Sequence, residues 1–172
     1  AQGTGPIDLA FFDADGDLDL DCVFASRKGD SLLFLNDGTG TFANAPFPGQ
    51  PGPYVYGPDA CDVDGDGDLD LWLDNGGKGH LTQLLINDGH ALFTDETSAR
   101  VTGNPVADDN EVQCADVDGD GDFDAVIASL DNNERVLIND GTGHFTVLPG
   151  AFPKVNDATL GLDLGDLDGD GI

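Results

Sequence analysis

The chain has 172 residues, of which 39% are hydrophobic, so it is long enough and apolar enough to fold around a packed core. Its 34 acidic residues outnumber 6 basic ones and give a formal charge of -28, which argues against nucleic acid, polyanionic substrates and anionic membranes as partners. No run approaches the roughly 18 apolar residues of a membrane helix, and the Ala1-Gln2 start shows no leader. The sequence predicts a soluble, already processed protein without membrane insertion.

Cysteine is sparse and odd in number. Cys22, Cys61 and Cys114 define no disulfide framework by their spacing. We expect buried free thiols, and the pairing of any two of them stays open.

The chain repeats itself. An acidic motif begins at Asp13 (DADGDLDLD), Asp62 (DVDGDGDLD), Asp116 (DVDGDGDFD) and Asp166 (DLDGDG), at intervals of 49, 54 and 50 residues. A second motif follows each complete copy, as LFLNDGTGTF from Leu33, LLINDGHALF from Leu84 and VLINDGTGHF from Val136. Three full units and the start of a fourth are therefore present.

Each unit reads as four short strands, a to d, because its segments are β-rich, are bounded by Gly, Asp and Asn, and lack helical periodicity. Strand a precedes the acidic loop, strand b leaves it, and an Asn-Asp-Gly hairpin joins strands c and d. The predicted strands are IDLAFF, DAC, VQCA and LGLDLG (a), DCVFAS, DLWLD and DAVIAS (b), LLFLN, QLLIN and RVLIN (c), and segments starting at Phe42, Phe93 and Phe145 (d).

Repeated four-stranded antiparallel units of about 50 residues predict an all-β fold of β-propeller-type blades, since radial stacking buries both faces of each small sheet. We expect one repeat domain over 1–172. Its blade 1 covers about 5–50, blade 2 about 51–104 and blade 3 about 105–155, and blade 4 starts at about 156–172. Three blades and one strand cannot close a ring, so we expect further blades from a longer chain or from other copies.

The acidic loops predict calcium sites, because oxygen ligands at alternate residues of a tight loop converge on one point. Positions 1, 3, 5 and 9 would supply carboxylates, and position 7 a backbone carbonyl. The predicted ligands are Asp13, Asp15, Asp17, Asp19 and Asp21; Asp62, Asp64, Asp66, Asp68 and Asp70; Asp116, Asp118, Asp120, Asp122 and Asp124; and, in a fourth partial site, Asp166, Asp168 and Asp170. A set of solvated acidic turns is the alternative.

The spacing separates these loops from other calcium motifs. An EF-hand requires Glu at position 12, but that position is Phe24, Leu73 or Ile127 here. Magnesium, which keeps its waters, suits so many protein oxygens less well. Glycine at position 6 supports the left-handed turn in the later loops, whereas loop 1 has Leu18 there, so we expect a weaker or differently shaped first site.

These residues, D-x-D-G-D-G-x-x-D after a short strand and then a strand ending in N-D-G-x-G-x-F, resemble the FG-GAP/VCBS repeat family, which includes the β-propeller of integrin α subunits. The resemblance implies calcium in the loop between strands a and b, with the aspartates named above as ligands. It also implies an extracellular or cell-surface location. Members of the family serve as adhesion or lectin-like modules and as parts of polysaccharide-degrading enzymes.

The strand order places all six basic residues at the blade end away from the calcium loops. Loops at one end of a rigid scaffold often bind ligands, so Lys28, Lys78, His80 and Arg135 are candidate residues for a protein or glycan ligand. Basic residues that merely avoid an acidic rim are the alternative. Trp72, in strand b, is expected in the core. No catalytic motif is evident, so we expect no enzyme activity.

The sequence thus predicts an extracellular calcium-binding β-propeller repeat module for adhesion or for carbohydrate or protein binding, with calcium in a structural role. Two alternatives stay open. One is a structural protomer of an extracellular fibre or surface assembly, and the other is a non-catalytic part of a secreted polysaccharide-degrading enzyme.

Overall fold

The fold comes from a computed structural model of the chain that describes residues 5–48, 54–75, 79–155 and 158–165. Three antiparallel sheets follow one another along the chain. Blade 1 contains β1 (Pro6–Phe12), β2 (Asp21–Ser26), β3 (Leu32–Asn36) and β4 (Phe42–Ala45). Blade 2 contains β5 (Pro58–Cys61), β6 (Asp70–Leu73), β7 (Gln83–Ile86) and β8 (Thr94–Asp95). A one-turn helix α1 (Thr97–Arg100) and β9 (Val101–Thr102) precede blade 3, which contains β10 (Asp109–Ala115), β11 (Asp124–Ser129), β12 (Arg135–Asn139) and β13 (Phe145–Val147).

Each sheet pairs its strands in sequence order, from the strand before the acidic loop to the strand after the hairpin. The predicted all-β fold with four-stranded antiparallel, propeller-like blades is therefore confirmed. Strand β9 departs from the predicted pattern. Val101 and Thr102, assigned to the second unit by sequence, pair in parallel with β13 and add a fifth strand to blade 3.

The strand predicted at LGLDLG also differs. Residues 158–165 contain no strand, and the acidic residues 166–170 lie outside the described part of the chain. The segment instead binds side chains of β10. Leu162 N donates to Glu111 Oε2 at 2.8 Å, and Gln113 Nε2 donates to Leu162 O at 3.0 Å. Side-chain bonds thus take the place of main-chain pairing here.

The core lies between the blades rather than inside one sheet. Successive residues of a strand face opposite sides, so Leu71 and Leu73 of β6 pack toward blade 1 while Trp72 packs toward blade 3. Trp72 is fully buried and meets Phe145 edge to face, with 4.9 Å between ring centroids. The prediction that Trp72 belongs to the core is confirmed.

The expectation of three free thiols is wrong for two of them. Cys61 and Cys114 form a disulfide that joins β5 to β10, while Cys22 is free and buried. Their separation of 53 residues is close to one repeat, which puts them on the inner strands of neighbouring blades. Cys61 directly precedes its acidic loop and faces blade 3, whereas Cys114 lies one residue further from its loop and faces blade 2.

No helix in the described residues is long and apolar enough to cross a membrane.

The disulfide predicts a specific thiol count. Unfolded, unreduced protein should react with a maleimide at one thiol, Cys22, and reduced protein at three. Reduction should lower the free energy of unfolding by about 2–4 kcal/mol, because the bridge constrains a long loop of the unfolded chain. A Cys22→Ala variant serves as the control and should show no reactive thiol before reduction. Three reactive thiols in unreduced wild-type protein would contradict the bridge.

Candidate metal centres

The first aspartate of each acidic loop organises the loop backbone. In loop 2, Asp62 accepts hydrogen bonds from Gly65 N at 2.8 Å and from Gly67 N at 3.0 Å. The same pair of bonds runs from Gly16 N and Leu18 N to Asp13, at 2.8 and 3.0 Å, and from Gly119 N and Gly121 N to Asp116, at 2.7 and 3.0 Å. The backbone therefore curls around the first carboxylate in all three loops.

This curl brings carboxylates together. Each loop contains a group of three whose ligand atoms lie within 4.8 Å of one another, namely Asp13, Asp15 and Asp17; Asp62, Asp64 and Asp66; and Asp116, Asp118 and Asp124. All nine are among the predicted ligands. Asp166, Asp168 and Asp170 of the partial fourth site lie outside the described residues.

The ninth position has a second role that sequence reasoning missed. Asp70 is buried, and its two oxygens accept hydrogen bonds from Val63 N at 3.1 Å and from Asn87 N at 2.8 Å. Asp21 likewise accepts hydrogen bonds from Ala14 N and Asn36 N, both at 2.8 Å. Asp124 accepts them from Val117 N at 3.0 Å and from Asn139 N at 2.8 Å. This carboxylate fastens its loop to the c–d hairpin of the same blade.

The seventh position directs its side chain toward that hairpin. A Cβ on Gly89 would lie 2.4 Å from Asp68 Oδ2, and a Cβ on Gly141 would lie 2.4 Å from Asp122 Oδ2. Only glycine fits this approach of hairpin and loop. Because the carboxylate at position 7 faces the hairpin, the backbone carbonyl is the group of this residue that can face the interior of the loop.

The hairpin asparagine links each blade to the preceding one. Asn87 Nδ2 donates to Ala14 O of loop 1 at 2.9 Å, and Asn139 Nδ2 donates to Val63 O of loop 2 at 2.7 Å. The repeated Asn-Asp-Gly motif carried this signal, but it predicted a turn and not a contact between blades. Loops 1 and 2 therefore lie at the joints between successive blades.

Burial and mutual repulsion make these carboxylates costly in their charged forms. Burial raises the pKa of Asp15 and Asp64, with neighbouring carboxylates adding to the effect, and it raises the pKa of Asp70 to about 6. Oδ1 of Asp15 and Oδ1 of Asp64 are buried without a hydrogen-bond partner. Orphaned, all-oxygen donors of this kind fit a hard divalent cation, which would supply both the missing partner and the missing charge.

Loop 1 has the predicted strain. Leu18 adopts φ = +71°, in the left-handed region, where loops 2 and 3 have Gly67 at +95° and Gly121 at +98°. Its side chain is 92% exposed and gains nothing from packing. The chain thus keeps the loop shape at an energetic cost of roughly 1–2 kcal/mol.

Two basic residues differ from the expectation, one in its burial and one in its position. Arg135, a candidate ligand-binding residue, is buried, and its guanidinium pairs with Asp109 at 2.6 Å, so it is not available to a ligand. Arg100 lies at the acidic-loop end, 3.2 Å from Asp64, and not at the opposite end. The connection that carries each arginine was predictable from the sequence, but the direction of its long side chain was not.

The opposite end of the blades retains part of the predicted surface. Lys28 is exposed and His80 half-buried, whereas Lys78 lies outside the described residues. Nearby, the rings of Tyr54 and Tyr56 stack with 6.3 Å between centroids, and the Arg27 guanidinium lies 6.0 Å from the Tyr54 centroid. These three side chains form an aromatic and cationic row.

Asp74 also lies at that end, fully buried where blades 1 and 3 have alanine. Burial raises its pKa to about 8, although Gly57 N donates to its Oδ1 at 2.9 Å. Burial therefore favours the neutral form of the Asp74 carboxyl.

Comparison with known families agrees with this geometry. The family model for the FG-GAP-like repeat matches residues 12–73 and 116–172. The chain belongs to the FG-GAP-like repeat family. The two matched ranges contain all four acidic motifs but not the second Asn-Asp-Gly hairpin, which follows Leu84. The comparison with curated proteins gave no match.

Leu18 provides a test of loop strain in this FG-GAP-like repeat. Leu18→Gly should raise the free energy of unfolding by about 0.5–1 kcal/mol, since relief of the left-handed strain exceeds the entropy cost of glycine. Chemical denaturation of metal-free protein measures the change. Leu20→Gly, at a neighbouring exposed position without positive φ, is the matched control and should destabilise. Equal destabilisation by both substitutions would show that Leu18 is not strained.

Proposed function

We propose that the chain is a calcium-stabilised repeat module of an extracellular protein, which serves in adhesion or in binding a protein or glycan ligand. The acidic loops carry this proposal. Each of three loops gathers three carboxylates around a common point, and buried oxygens in loops 1 and 2 have no hydrogen-bond partner. A cation at these points would be structural, because loops 1 and 2 lie at the joints between blades and all three loops are hydrogen-bonded to the hairpins of their own blades.

The donor set favours calcium over magnesium. Calcium accepts about six to eight oxygens in flexible geometry, whereas magnesium requires a near-ideal octahedron and retains water. Asp64 and Asp66 would supply carboxylates, and the Asp68 carbonyl completes a curved set of protein oxygens. Weak, all-oxygen sites of this type suit the millimolar calcium found outside cells.

The disulfide supports an extracellular location. Bridges such as Cys61–Cys114 persist in oxidising compartments and are rare in the cytosol. FG-GAP-like repeats also occur typically in extracellular proteins, which agrees with this chemistry.

The ligand surface that we favour lies at the end opposite the acidic loops. Tyr54 and Tyr56 present stacked rings, and Arg27 and Lys28 lie beside them. Aromatic faces beside cationic groups suit either a sugar ring or an acidic protein surface. A glycan array probed with the calcium-loaded chain distinguishes the two, and a turnover assay on bound polysaccharide tests for accessory action in an enzyme.

Calcium binding is the decisive test of this function. Isothermal titration calorimetry should give three ions for the three complete loops, and Asp64→Ala or Asp118→Ala should each remove one. Calcium at about 100 times its dissociation constant raises the free energy of unfolding by roughly 2.7 kcal/mol for each independent site. Removal of calcium by a chelator should therefore sharply lower the melting temperature.

Asp30→Ala, which removes an acidic residue far from the loops, is the control and should leave the stoichiometry unchanged. If both loop variants bind as many ions as the wild-type protein, the ligand assignment is wrong. If wild-type protein binds none, the proposed function fails.

A structural protomer is a second candidate, favoured by one face of blade 1. Phe11 and Phe42 are 55% and 43% exposed, and with Phe24 and Phe34 they line a groove of about 260 Å³. The equivalent face of blade 2, around Leu71 and Leu73, is buried against blade 1. We therefore propose that this face of blade 1 binds another blade. In a solution of this chain alone, a second copy of the chain supplies that blade.

Self-association tests this second candidate. Sedimentation velocity should show concentration-dependent oligomers of the calcium-loaded chain, and a Phe11→Asp/Phe42→Asp variant should be monomeric because the charges oppose burial. Leu92→Asp, at an exposed apolar position of a blade 2 hairpin, is the matched control and should still associate. A wild-type chain that stays monomeric at high concentration would rule out assembly through this face.

A further inference from the structure

Arg100 reaches from the end of α1 to two different elements at the acidic-loop end. Its Nη2 lies 3.2 Å from Asp64 Oδ2 in loop 2, and its Nη1 donates to Thr142 O in the blade 3 hairpin at 2.9 Å. Its Nε donates to Glu96 Oε2 at 2.5 Å, which fixes the direction of the guanidinium. The Arg100 and Asp64 side chains are each 16% exposed, so this is a partly buried pair.

The contact distinguishes loop 2 from the other loops. Asp15 and Asp118 occupy the position of Asp64 in loops 1 and 3. Among ion pairs between described residues, only the Arg100–Asp64 pair includes an acidic-loop carboxylate. Loops 2 and 3 share the same glycines and the same hydrogen bonds to the first aspartate, but among the described residues only loop 2 is contacted by the hairpin of a neighbouring blade and by an arginine.

We propose that Arg100 is a built-in counter-cation of loop 2, which lowers the calcium affinity of that loop and holds blades 2 and 3 together when calcium is absent. The first half of this inference rests on the proposed calcium function. The second half concerns metal-free protein and stands on the contacts alone.

The effect on affinity follows from the position of the charge. Asp64 presents Oδ2 to the guanidinium, while its Oδ1 is buried without a partner and is free for a cation. A dication and a unit positive charge about 6 Å apart repel each other strongly enough to lower the calcium binding constant roughly tenfold, even at the dielectric constant of water. Fixing one aspartate rotamer in advance gains only about threefold, so repulsion outweighs this preorganisation.

The effect on the blades follows from the second contact. Asn139 already bonds Val63 O across the same joint, and Arg100 adds a charged bond from the Asp64 side of the joint to Thr142 O. Charged hydrogen bonds in partly buried positions contribute more than neutral ones. The joint between blades 2 and 3 therefore depends less on calcium than the joint between blades 1 and 2.

Arg100→Gln tests both halves, since it removes the charge and keeps most of the length. Calorimetric titration of the whole chain with calcium should show one of three ions bound roughly tenfold more tightly. In chelator, the same variant should melt roughly 2–4 °C below the wild-type protein because the tie to the blade 3 hairpin is lost. Lys154→Gln removes an equal charge from an exposed position and should change neither quantity.

A double-mutant cycle places the effect at loop 2. Asp64→Asn removes a ligand of loop 2 and should remove its ion, so in this background Arg100→Gln should leave the calcium affinities of the two remaining sites unchanged. A gain in affinity that persists in this background would show a general charge effect and would overturn the assignment.

Two results would overturn the proposal itself. One is a set of three calcium association constants in Arg100→Gln that are no higher than those of the wild-type protein. The other is a melting temperature in chelator that does not change. If the wild-type chain binds no calcium, the proposed function fails separately, and the melting experiment still decides whether Arg100 ties the blades.

Discussion

Repulsion among clustered aspartates is the constraint on which the rest of the structure depends. Each complete loop places five carboxylates within nine residues, and loops 1 and 2 also lie at the joints between successive blades. Asp70 and its equivalents hold the loop to its own hairpin, and Asn87 and Asn139 hold the hairpin to the preceding loop. Anything that relieves the repulsion therefore stabilises the local turn and the stacking of blades together.

The blades were predictable from sequence because their signals are local and repeated. Alternating apolar residues, Asn-Asp-Gly hairpins and the acidic motif each imply a defined backbone, and Leu18 took the left-handed conformation that its loop position required. The misses involve contacts between units. The Cys61–Cys114 bridge depends on which faces neighbouring blades present, and the partners of Arg100 and Arg135 depend on where long side chains turn. Local pattern does not contain that information.

Copies of one motif need not behave alike. Loop 1 carries the strain of Leu18, loop 2 carries the positive charge of Arg100, and loop 3 carries neither among the described residues. All three nevertheless keep the same hydrogen bonds to the first and ninth aspartates. Under the proposed calcium function, a shared backbone with different surroundings would let three sites of one shape differ in affinity.

The most direct test of this account is a high-resolution crystal structure of the calcium-loaded chain with anomalous scattering measured at long wavelength. The account predicts one anomalous peak inside each of the three complete loops, bonded to oxygens of positions 1, 3 and 5 and to the carbonyl of position 7. Ordered water without anomalous signal in all three loops, in crystals grown with millimolar calcium, would contradict it.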